Sequence, residues 1–269
     1  MTGQQWTRLV TGVLAPNAGP MTLDGTNSLV LGRPGHGSVV VVDPGPADAG
    51  HLERLRSFGD VELILLTHHH RDHTEAAAEF AATTAAPVRA LDPALCIGAD
   101  PLADGEHVEA AGIRLDVIAT PGHTHDSVCV HLPHDAALTD PRPGGTMITG
   151  DTILGRGTTI VTHPGGSLAA YLDSLDRLAA YGVIPVIPAH GPMLADLAAI
   201  CRRYAAHRRG RLGELSALLQ SLGRAPANDD DLVQAIVDTV YADVDPAIRF
   251  AAEASTRAQL EYLAAAPRP

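Results

Sequence analysis

Four apolar runs in this 269-residue chain each finish at a histidine or aspartate set among Gly, Pro or Thr. Val61-Glu62-Leu63-Ile64-Leu65-Leu66 leads into Thr67-His68-His69-His70-Arg71-Asp72-His73, and Leu115-Asp116-Val117-Ile118-Ala119 into Thr120-Pro121-Gly122-His123. Thr146-Met147-Ile148 leads into Thr149-Gly150-Asp151, and Val183-Ile184-Pro185-Val186-Ile187 into Pro188-Ala189-His190-Gly191. Short apolar runs bounded by turn residues read as buried strands. Loops at strand ends are where a rigid scaffold presents functional groups. The pattern therefore predicts a two-sheet α/β sandwich in which loops from one edge converge on a common site. Imidazole and carboxylate suit zinc and similar divalent ions, so a hydrolytic metal centre is the first hypothesis.

Composition limits the alternatives. With 45% hydrophobic and 19% charged residues, the chain suffices for one large core, or a core and a small appendage. No apolar stretch approaches the ~18 residues of a membrane span. Met1 to Thr7 lacks the basic start and apolar centre of a signal peptide, so the expected compartment is the cytoplasm, with no membrane partner. Cys96, Cys129 and Cys201 are widely spaced and odd in number, which argues against a disulfide framework or a thiolate zinc ribbon. The formal charge of −12 argues against a generic polyanion binder.

Residues 8–15, 27–32 and 37–43 are expected to form strands, followed by a helix over 47–58 and a strand over 61–66. A helix over about 74–84, capped near Asp72, comes next. Strands are expected near 87–90, 106–110, 113–119, 127–132 and 145–149, then a helix over about 167–181. From Pro192 the composition is helical, with helices expected near 194–221, 229–241 and 246–265 and good N-caps in Asn228-Asp229-Asp230-Asp231. The expected division is a catalytic domain over 1–199 and a small helical domain over 200–269, whose apolar content could form a homodimer face.

His68-x-His70-x-Asp72-His73, followed in order by Gly122-His123, Gly150-Asp151 and Ala189-His190-Gly191, resembles the metallo-β-lactamase superfamily. The resemblance implies an αββα sandwich and two zinc ions. It assigns one ion to His68, His70 and His123, the other to Asp72, His73 and His190, and makes Asp151 the bridge. The local chemistry agrees: residues two apart in an extended loop can grip one ion, while Asp72 and His73 at a helix start face another position. Two ions about 3.5–4 Å apart can hold a bridging hydroxide and hydrolyse a bond without a Ser or Cys nucleophile, with Asp72 also a candidate proton acceptor. The resemblance also places Asp43 near the site, as partner of a ligand imidazole. His69 and Arg71 are expected to orient the loop or face outward, and His125, His131 and His134 to be surface or supporting residues.

Asn17 to Asn27, Gly150 to Thr159 and Ala206-His207-Arg208-Arg209-Gly210-Arg211 are similar to the β-lactamase-like-protein-2 endoribonucleases and their bacterial relatives. That similarity implies a winged-helix-like C-terminal domain, here shortened, since no β-hairpin wing is visible after the last helix. It also implies single-stranded RNA as substrate, with Arg202, Arg203, Arg208, Arg209 and Arg211 as candidate phosphate contacts. Asn27 and His163 are the candidate substrate contacts. Within the superfamily this chain resembles, an aspartate at 151 implies the dinuclear hydrolases rather than the zinc β-lactamases, which mostly lack a bridging carboxylate there. The alternatives are therefore a thioesterase of the glyoxalase II type, a promiscuous β-lactam hydrolase acting on a small molecule, and a non-catalytic metal-stabilised binding protein. Aromatic content of only 3% offers little stacking platform for RNA.

Overall fold

A computed structural model describes residues 3–265. The first sheet takes its strands in sequence order: β1 (Gln4–Gln5), β2 (Val10–Leu14), β3 (Asn27–Leu31), β4 (Ser38–Val42), β5 (Asp60–Leu65) and β6 (Val88–Arg89). Its first four strands are antiparallel, whereas β4, β5 and β6 are parallel. Parallel neighbours need crossovers, supplied by α1 (Ala49–Arg56) between β4 and β5 and by α2 (Arg71–Thr74) and α3 (Ala77–Thr84) between β5 and β6. The second sheet, ordered β11-β10-β9-β8-β7, comprises β7 (His107–Ala110), β8 (Ile113–Ala119), β9 (Val128–Leu132), β10 (Thr146–Gly150) and β11 (Val186–Pro188). The crossover from β10 to its parallel neighbour β11 is α4 (Leu168–Ala179).

Strand alternation sorts the apolar residues into layers. Val40, Val42, Leu63 and Leu65 face the gap between the sheets, where they meet Leu115, Val117, Val128, Val130 and Ile148. Their neighbours Val39, Val41, Ile64 and Leu66 face outward, against Leu52 and Leu55 of α1 and Phe80 of α3. On the far side Cys129 and Met147 pack under Tyr171, Leu172 and Leu175 of α4. Both faces of each sheet are covered, which is why Val39 to Val42 reads as a continuous apolar run. Each fully buried Leu, Val or Phe contributes about 1.5–3 kcal/mol, so the strand ends rest on a stiff base.

The helix expected over 74–84 is divided. The turn at Arg71–Thr74 comes first, Ala77–Thr84 follows, and the N-cap position is His70, with no side-chain cap bond. Asp72 is therefore not a cap: its carboxylate faces His73 and His190.

Beyond β11, the chain forms α5 (Leu197–Leu222), α6 (Asp230–Val240) and α7 (Arg249–Ala265). Asp196 caps α5 and Asp229 caps α6 through their side chains. The division drawn at residue 200 falls inside α5. Leu197, Ile200, Cys201 and Tyr204 of its first half belong to the core under α4. Leu215 and Leu219 of its second half form a separate core with Val233 and Val237 of α6 and Leu260 of α7. One helix thus joins both cores, and among the described residues no strand follows Pro188. No described helix is long and apolar enough to cross a membrane.

Candidate metal centre

Four strand ends deliver the polar cluster. His68, His70, Asp72 and His73 come from the stretch after β5, His123 from the loop after β8, Asp151 from the end of β10, and His190 from the loop after β11. Two glycines make this approach possible. Gly122 has φ +150°, and a Cβ there would lie 2.5 Å from Tyr171 Cα, so only glycine brings the His123 loop so close to α4. Gly150 has φ +49°, with Thr67 directly against the position of its absent Cβ.

The ligand atoms fall into two groups. His68 Nε2 and His123 Nε2 each lie 3.0 Å from His70 Nδ1. Asp72 Oδ2 lies 3.3 Å from His73 Nε2 and 3.1 Å from His190 Nε2. Asp151 spans both. Its Oδ1 is 3.3 Å from His190 Nε2 and 3.6 Å from His73 Nε2, while Oδ2 is 3.7 Å from His123 Nε2. Two donors on one tetrahedral zinc, at about 2.0–2.1 Å each, would lie about 3.3 Å apart; the observed separations bracket that value.

Hydrogen bonds on the outer nitrogens fix which atoms face inward. His123 Nδ1 donates to the Ile160 carbonyl at 2.6 Å, and His190 Nδ1 to the Gly25 carbonyl at 3.1 Å. His73 Nδ1 donates to Asp43 Oδ2 at 2.8 Å. The Thr67 hydroxyl gives its proton to Asp43 Oδ2 at 2.7 Å, so it accepts from His68 Nδ1 at 3.1 Å. Each of these four imidazoles therefore turns its Nε2 to the interior. His73 Nε2, His190 Nε2 and Asp151 Oδ1 are buried without a hydrogen-bond partner. Unsatisfied buried atoms that converge so closely are costly unless a cation joins them. The donor set fits one, and two groups sharing a carboxylate fit two.

The protonation tendencies divide likewise. Burial, reinforced by neighbouring imidazoles, holds His68 well below the usual imidazole range and brings His70 down to about 4. Burial also lowers His123. At His73 and His190 burial acts in the same sense, but Asp43 and Asp151 outweigh it at the first, and Asp151 and Asp72 at the second, so both are raised. Burial pushes the Asp72 carboxyl up, yet His190 and His73 hold it below the usual carboxylate range. One group is neutral and ready to coordinate, whereas the other is an ion-paired cluster whose protons a metal would displace.

Other sequence candidates lie elsewhere. Asn27 donates to the Pro188 and Gly191 carbonyls at 3.1 and 2.9 Å, so its amide ties β3 to the loop carrying His190. His163 lies 3.4 Å from Asn228 Nδ2 and 3.6 Å from Glu261, against the C-terminal helices. His69 binds Asp126 at 2.6 Å, and Arg71 pairs outward with Glu75. His134 is exposed. Arg202, Arg203 and Arg209 are exposed, but Arg208 is buried. Sequence reasoning did not assign a supporting role to Thr67 or to the Ile160 and Gly25 carbonyls. Thr67 adjoins the histidine segment and offered a signal; backbone carbonyls leave none.

An αββα sandwich with histidines and aspartates gathered at one strand edge defines a class of metal-site proteins. Residues 21–190 match the metallo-beta-lactamase superfamily, and the chain belongs to it. The chain is 32% identical over 244 residues to the lactamase-like protein vrtG of Penicillium aethiopicum, covering 87% of this chain and 74% of that protein. It is 29% identical over 267 residues to the beta-lactamase-like protein 2 homolog of Caenorhabditis elegans, covering 94% and 83%. A metallo-beta-lactamase family protein from Thermus thermophilus superposes with a TM-score of 0.73 at 26% identity, over 94% of this chain and 92% of that one.

Proposed function

We propose that the protein is a dinuclear metal-dependent hydrolase of compact esters or thioesters, with zinc as the metal. The observation that carries this reading is the Asp151 carboxylate, whose oxygens are divided between two half-sites containing orphaned ligand atoms. A purely structural zinc site would be closed by four ligands and would need no second group. When bound, a pair of divalent ions supplies a water acidified toward neutral pH and a sink for charge developing on the attacked oxygen. His68, His70 and His123 would hold one ion, and Asp72, His73 and His190 the other.

The chain's own groups then set the geometry of reaction. Asp43 and the Ile160 and Gly25 carbonyls fix the ring orientations. Asp72, held ionised by His73 and His190, stands on the open side, its side chain 29% exposed, where its carboxylate would orient an attacking water. In hydrolysis the water oxygen joins the acyl carbon, the C–O or C–S bond breaks, and the proton ends on the departing alcohol or thiol.

A cavity of about 330 Å³ reaches His123 and Asp151 and is roofed by Tyr241, Val244 and Ile248 from the C-terminal region. That size is near the lower end for small-molecule sites, which favours a compact acyl substrate. Single-stranded RNA is the second reading, supported by exposed Arg202, Arg203 and Arg209. Metal analysis and rates on a thioester, an ester, a β-lactam and an oligoribonucleotide, in wild type and Asp151→Ala, test the proposal. About two ions per chain and loss of ester or thioester turnover in the variant are expected. One tightly held ion, or no turnover of any substrate by metal-replete protein, would overturn it.

A further inference from the structure

Arg208 is a buried cation without a counter-ion. It is 5% exposed, and its guanidinium donates to the Thr159 carbonyl and stands 5.6 Å from the centre of the Tyr171 ring. Among the described residues no carboxylate lies within 4.0 Å of it. A guanidinium this far inside is normally paired with a carboxylate; here no Arg208 nitrogen is both fully buried and unpartnered, so the donors not turned to Thr159 stay open toward the cavity. Of its five N–H donors, only those turned to Thr159 meet an acceptor among the described residues.

The unpaired group borders the same cavity that reaches His123 and Asp151. Other cations at that cavity are already engaged: Arg156 forms a two-pronged pair with Asp24, and Arg211 binds Glu214 at 2.7 Å while lying over the Tyr241 ring. Met21, Leu23, Leu154 and Ile248 give the cavity an apolar stretch. One small cavity thus has candidate metal ligands at one place, a guanidinium with no carboxylate partner at another, and apolar surface in its lining.

We propose that Arg208 is the anchor for an oxyanion head group of the substrate. The substrate class is then a short acyl ester or thioester bearing a carboxylate or phosphate, with the apolar part between its charged end and its scissile carbonyl. This rests on the hydrolase reading above and adds the feature that selects among its substrates. The guanidinium fork matches both oxyanions with two parallel hydrogen bonds, and exclusion of water strengthens the pairing. Arg208 is also a positioning residue, because the peptide it grips leads to the Ile160 carbonyl on His123. Loss of that clamp alone would lower turnover of charged and neutral substrates together.

The test uses the full chain and two six-carbon S-phenyl thioesters, hexanoyl and its counterpart with a terminal carboxylate. Wild-type protein should prefer the charged substrate in kcat/KM by at least about 30-fold, the scale of a buried charge pair with one partner removed. Arg208→Gln should reduce that ratio to within about threefold of unity. The second measurement needs no metal or turnover: shifts of Tm of the metal-free chain with hexanoate, hexyl phosphate and hexanol. The wild type should be stabilised by one or both anions and not by hexanol, and Arg208→Gln should lose the difference; the two anions separate a carboxylate site from a phosphate site. An unchanged substrate ratio together with unchanged anion shifts in the variant would refute the proposal. Turnover of both thioesters at equal rates by wild type, with no stabilisation by hexyl phosphate, would also refute it, leaving the hydrolase reading intact. If neither is hydrolysed, the hydrolase reading is at fault and the Tm shifts still decide the anion site.

Discussion

Replacing Asp43 by asparagine isolates the support of the metal centre from its ligands. Asp43 is 2% exposed and accepts three hydrogen bonds: from Thr67 N at 2.8 Å, the Thr67 hydroxyl at 2.7 Å, and His73 Nδ1 at 2.8 Å. An asparagine has one acceptor oxygen. If it occupies the Oδ2 position, its NH2 opposes the Thr67 N–H. If it is reversed, the NH2 opposes His73 Nδ1 and drives that ring to the tautomer whose proton lies on Nε2, the atom facing Asp72 and Asp151. A lost charged hydrogen bond costs about 1.5–3 kcal/mol and an unsatisfied buried donor about 1–3 kcal/mol. Asp43→Asn should therefore destabilise the metal-free protein by about 3–5 kcal/mol, as read by urea unfolding with an unchanged m-value. Loss of an outer partner of a ligand histidine typically weakens metal binding about 10–100-fold, which chelator competition would measure. Metal affinity within twofold of wild type would refute the reasoning, whatever the change in stability.

Gly122→Ala should destabilise the fold by more than about 2 kcal/mol, since its Cβ would meet Tyr171 at 2.5 Å in a backbone region that suits glycine; an unfolding midpoint equal to wild type would contradict this. A pH effect is expected at His51, away from the metal ligands, where burial foremost, with Arg54 adding, lowers its value to about 4. The unfolded chain then binds a proton below about pH 6.5 that the folded protein takes up only near 4. Its contribution is thus present above about 6.5 and lost as pH falls toward 4, by at most about 3 kcal/mol. His51→Gln should flatten the slope of unfolding free energy against pH in that window, and an unaltered slope would count against the assignment.

Much of the layering was legible in the sequence because a strand covered on both faces leaves a continuous apolar run bounded by turn residues. Val39 to Val42 and Val61 to Leu66 declare strands covered on both faces, and the structure sends alternate residues to the inner and outer cores. The candidate ligand residues were legible for a related reason: each follows an apolar run that must end where its sheet ends. Asp72 does not cap the helix expected over 74–84, because the turn at Arg71–Thr74 begins after His70 and the Asp72 carboxylate is turned to His190. The boundary expected near 200 falls within α5, a helix whose apolar pattern runs unbroken from one core into the other.

Sequence by itself determined most of the strands and helices and the set of histidines and aspartates at strand ends, since apolar patterning and ligand chemistry are local properties. The division into two groups bridged by Asp151 came with the family resemblance; only tertiary structure decided the separations within and between those groups, that Asn27 holds a loop, and that Arg208 is buried without a carboxylate partner beside the cavity reaching His123 and Asp151. These depend on distances between segments far apart in the chain, and no local pattern encodes such distances.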